Sequence, residues 1–106
     1  GLTTTSYAIL GHLALQPWTM YDLARQMQRN VHFYFPRVES QIYAEPKKLV
    51  ALGLAVAATE MTGRRARTIY SITPEGRRVL ADQMEYLLAH FPRSSPLHDR
   101  IARWLS

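Results

Sequence analysis

Apolar residues recur at helical spacing along much of this chain and alternate with polar ones over a short stretch past its middle. Tyr7, Ile9, Leu10, Leu13 and Ala14 follow Thr3-Thr4-Thr5-Ser6, a run of hydroxyls suited to an N-cap. That pattern predicts a first helix over 5–15, ended by Gln16-Pro17. Thr19 then caps a second helix, with Asp22 three positions on as a variant capping box. Its one-sided stripe is Met20, Leu23, Ala24 and Met27, and Asn30 is its stop.

The aromatic connector His32-Phe33-Tyr34-Phe35-Pro36 reads as a satellite of the core rather than a ligand box. A third helix is predicted over 37–52, with Val38, Ile42, Leu49 and Leu52 inward and Gly53 as its left-handed cap. Arg37, Ser40, Ala44, Lys47, Lys48 and Ala51 project away from that stripe, and Pro46 predicts a kink or a tight first turn.

Two short strands are expected over 54–59 and 68–72, because Tyr70 and Ile72 alternate with Ser71. A long loop over 61–67 joins them, with Gly63 supplying a positive φ and Arg64, Arg65 and Arg67 carried on the loop. Thr73-Pro74-Glu75 starts a further helix through a hydroxyl cap, a proline at the first position and an acid in the first turn. Along it Leu80, Met84, Leu87 and Phe91 form a 4-3-4 seam that ends at Pro92. Ser95-Pro96 can open a last short helix with Leu97, Ile101, Trp104 and Leu105 on one side.

The fold class implied is mainly α with a small antiparallel β-hairpin: a winged helix-turn-helix in the order α-α-α-β-β-α, plus a C-terminal helical arm. Residues 1–76 would be the DNA-binding domain and residues 77–106 the dimerisation arm.

Composition narrows the choice of function. A chain of 106 residues holds one small domain. It has no cysteine, which excludes a disulfide scaffold and thiolate metal sites and fits the reducing cytoplasm. No apolar run approaches the roughly 18–20 residues of a membrane span, and no signal peptide is evident at the start. Gly1 reads as a tag remnant or the start of a fragment. The four histidines share no ligand spacing, so neither metal nor cofactor is expected. An enzyme is disfavoured too: there is no thiol nucleophile, no Ser-His-acid arrangement, no Gly-rich phosphate loop and no paired carboxylates on one face.

Charge adds the positive argument. The formal net charge is +5, and arginine supplies eleven of the thirteen basic residues. Residues 60–78 hold five arginines against two glutamates, a net of +3, whereas residues 79–92 hold only Asp82 and Glu85. Basic residues concentrated at a hairpin tip suit phosphates, and arginine's planar fork suits both phosphates and guanine edges.

Several segments in this order resemble the PadR-like transcriptional regulators: Tyr7-Ala-Ile-Leu-Gly-His-Leu-Ala; Met20-Tyr21-Asp22-Leu23; Gln41-Ile42-Tyr43; Leu49-x-x-Leu52-Gly53-Leu54; and Gly63-Arg-Arg-x-Arg-x-x-Tyr70-x-Ile-Thr-x-x-Gly76. The resemblance covers about residues 2–82. Two places depart from it: Ala44-Glu45 separate Tyr43 from Pro46 where relatives carry proline directly after the tyrosine, and the Tyr-Gly pair of helix two is only partly kept. The resemblance implies a DNA-binding repressor, usually a homodimer held by C-terminal helices and often responsive to small aromatic or phenolic effectors. Beyond residue 90 it fades, which fits either a truncated chain or a short subgroup with a minimal arm.

The expected partners are therefore double-stranded DNA bearing a pseudo-palindromic operator, a second copy of the chain, and a small effector. Recognition helices of such a dimer would sit roughly 34–36 Å apart. The DNA-contacting residues are expected to be Arg37, Ser40, Gln41, Tyr43, Ala44, Lys47, Lys48, Arg64, Arg65 and Arg67. Among them Arg37 suits a phosphate clamp, Gln41 could pair with adenine and the Ala44 methyl could touch thymine. Dimerisation is expected to use Leu80, Met84, Leu87, Phe91, Ile101 and Trp104. The alternative is a winged-helix protein–protein module whose basic wing docks an acidic partner without specific DNA binding.

Overall fold

Helix α1 (Thr4–Leu15) begins where the hydroxyls predict it. The Thr3 side chain accepts from the Ser6 amide at 3.3 Å, and the Ser6 hydroxyl accepts from the Thr3 amide at 2.9 Å, a reciprocal capping box. Ile9, Leu10 and Leu13 on this helix are fully buried, because α3, α4 and β3 all pack against α1. The computed structural model describes residues 1–29 and 38–90, together with 93, 94, 99, 102 and 103; the side chains of residues 4, 28, 29 and 38–41 stand outside that description.

The carbonyl of His12, near the end of α1, receives the indole N–H of Trp18 at 2.8 Å. This bond tucks the chain into a two-residue strand, β1 (Trp18–Thr19), ahead of helix α2 (Met20–Arg29). As predicted, Thr19 caps α2, its hydroxyl accepting from the Asp22 amide at 3.1 Å. Leu23, Ala24 and Met27 form the buried stripe.

Helix α3 (Val38–Ala51) runs on through Pro46 as one helix. Its buried line is Ile42, Glu45, Pro46 and Leu49, at helical spacing. The expected stripe is thus corrected at its end: Leu52 lies past the last turn and is exposed. Gly53, at φ +76°, closes the helix in a Schellman motif, with Leu54 N–H donating to Leu49 O at 2.9 Å and Gly53 N–H to Val50 O at 3.0 Å.

The hairpin differs from expectation in three respects. Its strands are longer, β2 (Ala55–Thr62) and β3 (Arg65–Ile72), and are antiparallel in continuous register from Ala55↔Ile72 to Thr62↔Arg65. The long loop over 61–67 is in fact a two-residue turn, Gly63-Arg64, with Gly63 at φ +64° and no positive φ at Arg64, the sign pattern of a type II′ turn. Finally, β1 joins the sheet through Trp18↔Tyr70 and Thr19↔Ile69, giving three strands in the order β1-β3-β2. The distal half of the hairpin is exposed on both faces, so it carries none of the apolar alternation by which strands are recognised.

Helix α4 (Pro74–His90) starts at the expected cap: the Thr73 hydroxyl accepts from the Gly76 amide at 3.0 Å. The helix is continuous across residues 76 and 77, and its first two turns belong to the core through Gly76 and Leu80. This corrects one part of the expected dimer seam: Leu80, 2% exposed, is covered by its own chain and is not available to a partner. The last predicted helix falls mostly outside the described residues. Among the described residues, no helix is long and apolar enough to cross a membrane.

Candidate nucleic-acid interface

The winged-helix arrangement gives two elements a solvent-facing basic or polar surface. On α3, Tyr43, Ala44 and Lys47 are exposed, and Tyr43 and Lys47 lie one turn apart on the same side. Lys47 makes no ion pair among the described residues. Lys48 differs from it. Its ammonium lies 3.6 Å from the Glu45 carboxylate and donates to the Gly1 carbonyl at 2.9 Å, which draws it to the side of the helix near the chain start. Ser40 and Gln41 precede Tyr43 on α3, but their side chains lie outside the description, and Arg37 lies outside the described residues altogether.

The wing supplies the second element. Arg64 occupies the turn, and Arg65 and Arg67 fall on one face of β3 by strand alternation. All three are exposed, and none of their side chains makes an ion pair or hydrogen bond among the described residues. Glu60 stands opposite Arg67 in the register without closing a salt bridge. Three arginines carried on a hairpin, with side-chain N–H donors unused, have the charge and the planar fork that suit phosphate oxygens. The extended strands place them on regular backbone rather than on a loose loop.

An open groove of about 740 Å³ separates this wing from the first turn of α2. Thr19, Tyr21 and Asp22 line one side, Arg65, Arg67 and Thr68 the other. Tyr21 is 69% exposed, and the Arg25 guanidinium sits 5.8 Å from its ring centroid, a cation–π contact one turn along α2. The sequence reading missed this neighbourhood. Its signal was an exposed aromatic four residues before an arginine on the polar side of α2, which periodicity alone treats as ordinary solvated surface.

The residues expected to dimerise divide differently. Met84 and Leu87 are half-buried on α4, Met84 against the core, whereas Phe91, Ile101 and Trp104 lie outside the described residues. Among the described residues, no group of three or more histidines and carboxylates is placed to hold a metal ion.

Comparison with known proteins agrees with this geometry. Residues 9–82 match the "Transcriptional regulator PadR-like family". The negative transcriptional regulator PadR of Bacillus subtilis is 30% identical over 94 residues, which cover 88% of this chain and 50% of that protein; the chain thus spans about half the length of this relative. The crystal structure of B. subtilis PadR in complex with operator DNA superposes with a TM-score of 0.69 at 26% identity, covering 96% of this chain and 58% of that one. RosR of H. salinarum shares the fold at a TM-score of 0.71 and 21% identity, over 98% of this chain and 90% of that one. A match spanning most of the described core, from α1 into α4, identifies the chain as a member of the PadR-like family of transcriptional regulators, a family of regulators rather than enzymes.

Proposed function

We propose that this chain binds operator DNA in the cytoplasm and acts as the DNA-reading part of a dimeric transcriptional repressor. The observation that carries this reading is the wing: Arg64, Arg65 and Arg67 project unpaired from a hairpin that leaves the end of α3 through the Gly53 cap. In the proposed complex α3 enters a major groove, with Tyr43, Ala44 and Lys47 toward the bases and the wing arginines on adjacent phosphates. Ser40 and Gln41, earlier on α3, and Arg37, just before it in sequence, are proposed as further DNA contacts. The relative from B. subtilis, crystallised with operator DNA, supports the assignment by similarity.

The dimer would form through residues 77–106, with Met84 and Leu87 on α4 continued by Phe91, Ile101 and Trp104. Two copies related by a two-fold axis read a pseudo-palindromic site. A small aromatic or phenolic effector bound near that interface would shift the spacing of the two reading helices and release the DNA.

Selection of duplexes from a random library by the wild-type protein tests the reading. A recurrent two-fold motif is expected. With the selected duplex, the triple variant Arg64→Ala, Arg65→Ala, Arg67→Ala should flatten the dependence of log K on log salt by up to about 2.7, three phosphates at roughly 0.9 each. Failure to select any motif would favour the protein–protein module instead, and wild-type binding by the triple variant would remove the wing from the interface.

A further inference from the structure

Glu45 is a carboxylate on the inward side of α3, 8% exposed, between Ile42, Pro46 and Leu49 on the same buried line. Taking a carboxylate out of water is unfavourable unless charge and hydrogen bonds compensate. Here they do. The Ser6 hydroxyl donates to Glu45 Oε1, and the Lys48 ammonium lies 3.6 Å from the same oxygen. Ser6 sits in the first turn of α1, where unpaired amides leave a partial positive charge. The Ser6 hydroxyl is itself oriented, because it accepts from the Thr3 amide at 2.9 Å. Lys48 in turn donates to the Gly1 carbonyl. No buried side-chain polar atom among the described residues lacks a partner.

An apolar residue of similar size would fill this space as well. What the carboxylate adds is direction: a hydrogen bond and an ion pair tolerate far less rotation than a greasy contact does. Residues two before and two after a helical position lie about 160° around the axis from it. Tyr43 and Lys47 are those residues, and both are exposed. Holding Glu45 therefore sets where Tyr43 and Lys47 point. A rotation of α3 by about 20° would carry a side chain at the helix surface, roughly 5–6 Å from the axis, by about 2 Å. Base-edge hydrogen bonds do not survive such a shift, whereas arginines on phosphates adjust to it.

We propose that Glu45, clamped by Ser6 and Lys48, is a positioning residue that fixes the rotation of the reading helix and so sets discrimination between DNA sequences. The proposal rests on the DNA-binding reading above. Its test compares two affinities, for a duplex selected from a random library by the wild-type protein and for a scrambled duplex of equal length. Glu45→Ala should lower the ratio of the two by about tenfold or more, the scale of one or two lost base contacts. Its affinity for the scrambled duplex should stay within about twofold, because the wing arginines are intact. Glu45→Gln, which keeps an acceptor for Ser6, should recover most of the ratio. Measurements are made at a temperature where circular dichroism shows each variant folded; if Glu45→Ala does not fold, Ser6→Ala cuts the clamp and carries the same comparison. A wild-type ratio in the variants that break the clamp, or a parallel loss of both affinities, overturns the positioning role. A wild-type protein that selects no duplex overturns the DNA-binding reading itself, a distinct outcome.

Discussion

The Thr73 hydroxyl donates to the Gly53 carbonyl at 2.8 Å, joining the residue that caps the start of α4 to the residue that closes α3. The same oxygen accepts from the Gly76 amide, and the Thr73 amide donates to Leu54 O at 3.1 Å. One residue therefore ties α3, the base of the wing and α4 together. Thr73→Ala should cost about 1–2 kcal/mol in urea unfolding, the upper range for a lost N-cap, whereas Thr73→Ser should stay within a few tenths. Equal losses in the two variants would mean that the hydroxyl is not the source of the stability.

Gly76 lies against that junction. A Cβ at this position would fall 2.1 Å from the Leu54 carbonyl oxygen and 2.8 Å from Ile72 Cγ1. The first is backbone held in the cap and cannot give way as a side-chain end can. Gly76→Ala should destabilise by about 1–3 kcal/mol through overpacking, although alanine is the better helix former. A thermal midpoint at or above wild type would contradict this.

Lys47 and Lys48 are adjacent in the chain and differ in their surroundings. Lys47 is exposed without an ion pair, and Lys48 is bound to Glu45 and to the Gly1 carbonyl. Lys47→Ala should therefore weaken binding to the selected duplex by about 1–3 kcal/mol, one lost base contact, and also lower the log–log slope, because the ammonium displaces a counterion wherever it lies along the groove. Lys48→Ala should leave the slope unchanged and cost about 1–2 kcal/mol of stability, less than a fully buried pair because Lys48 keeps part of its hydration. Fluorescence-anisotropy titrations at several salt concentrations, with urea unfolding alongside, separate the two effects.

Glu75 and Arg78 form a two-pronged pair on the first turn of α4, with Arg78 Nε donating to Glu75 Oε2 at 3.1 Å and Nη2 to Oε1. The hydrogen bonds from Arg78, aided by its charge, hold the Glu75 carboxyl below its ordinary value of 4.5. A carboxyl depressed in the folded state stabilises above its unfolded value and loses that contribution as pH falls through the folded one. Both side chains are largely exposed, so the contribution is small. NMR titration should find Glu75 below the ordinary range in the wild type and moved upward in Arg78→Ala. An unchanged titration in the variant would rule out the pair as the cause.

Local chemistry was legible in the chain itself. Thr3, Thr19, Thr73 and Gly53 act where their residue types predict, because a cap is made with amides or carbonyls a few positions away. The helical stripes through Leu13, Leu23 and Leu49 follow for the same reason: a period of 3.6 needs no knowledge of the partner surface. The arginine wing was legible as chemistry but not as geometry. Arg65 and Arg67 read as loop because the outer hairpin has water on both faces and so no alternation to display.

What remained hidden depended on contacts between distant parts of the chain. Strand β1 exists only because Trp18 and Thr19 meet Tyr70 and Ile69. The seam on α4 showed an apolar side but not its cover, and packing of α4 on the core assigned Leu80 to its own chain. Glu45 falls within the apolar stripe of α3 in a helical projection, where a carboxylate has no evident partner; it becomes a buried anchor because α1 brings Ser6 across thirty-nine positions of sequence. Periodicity and capping are short-range and belong to the sequence. The partner of each face is set by which helices lie side by side, and that is decided only when the core closes.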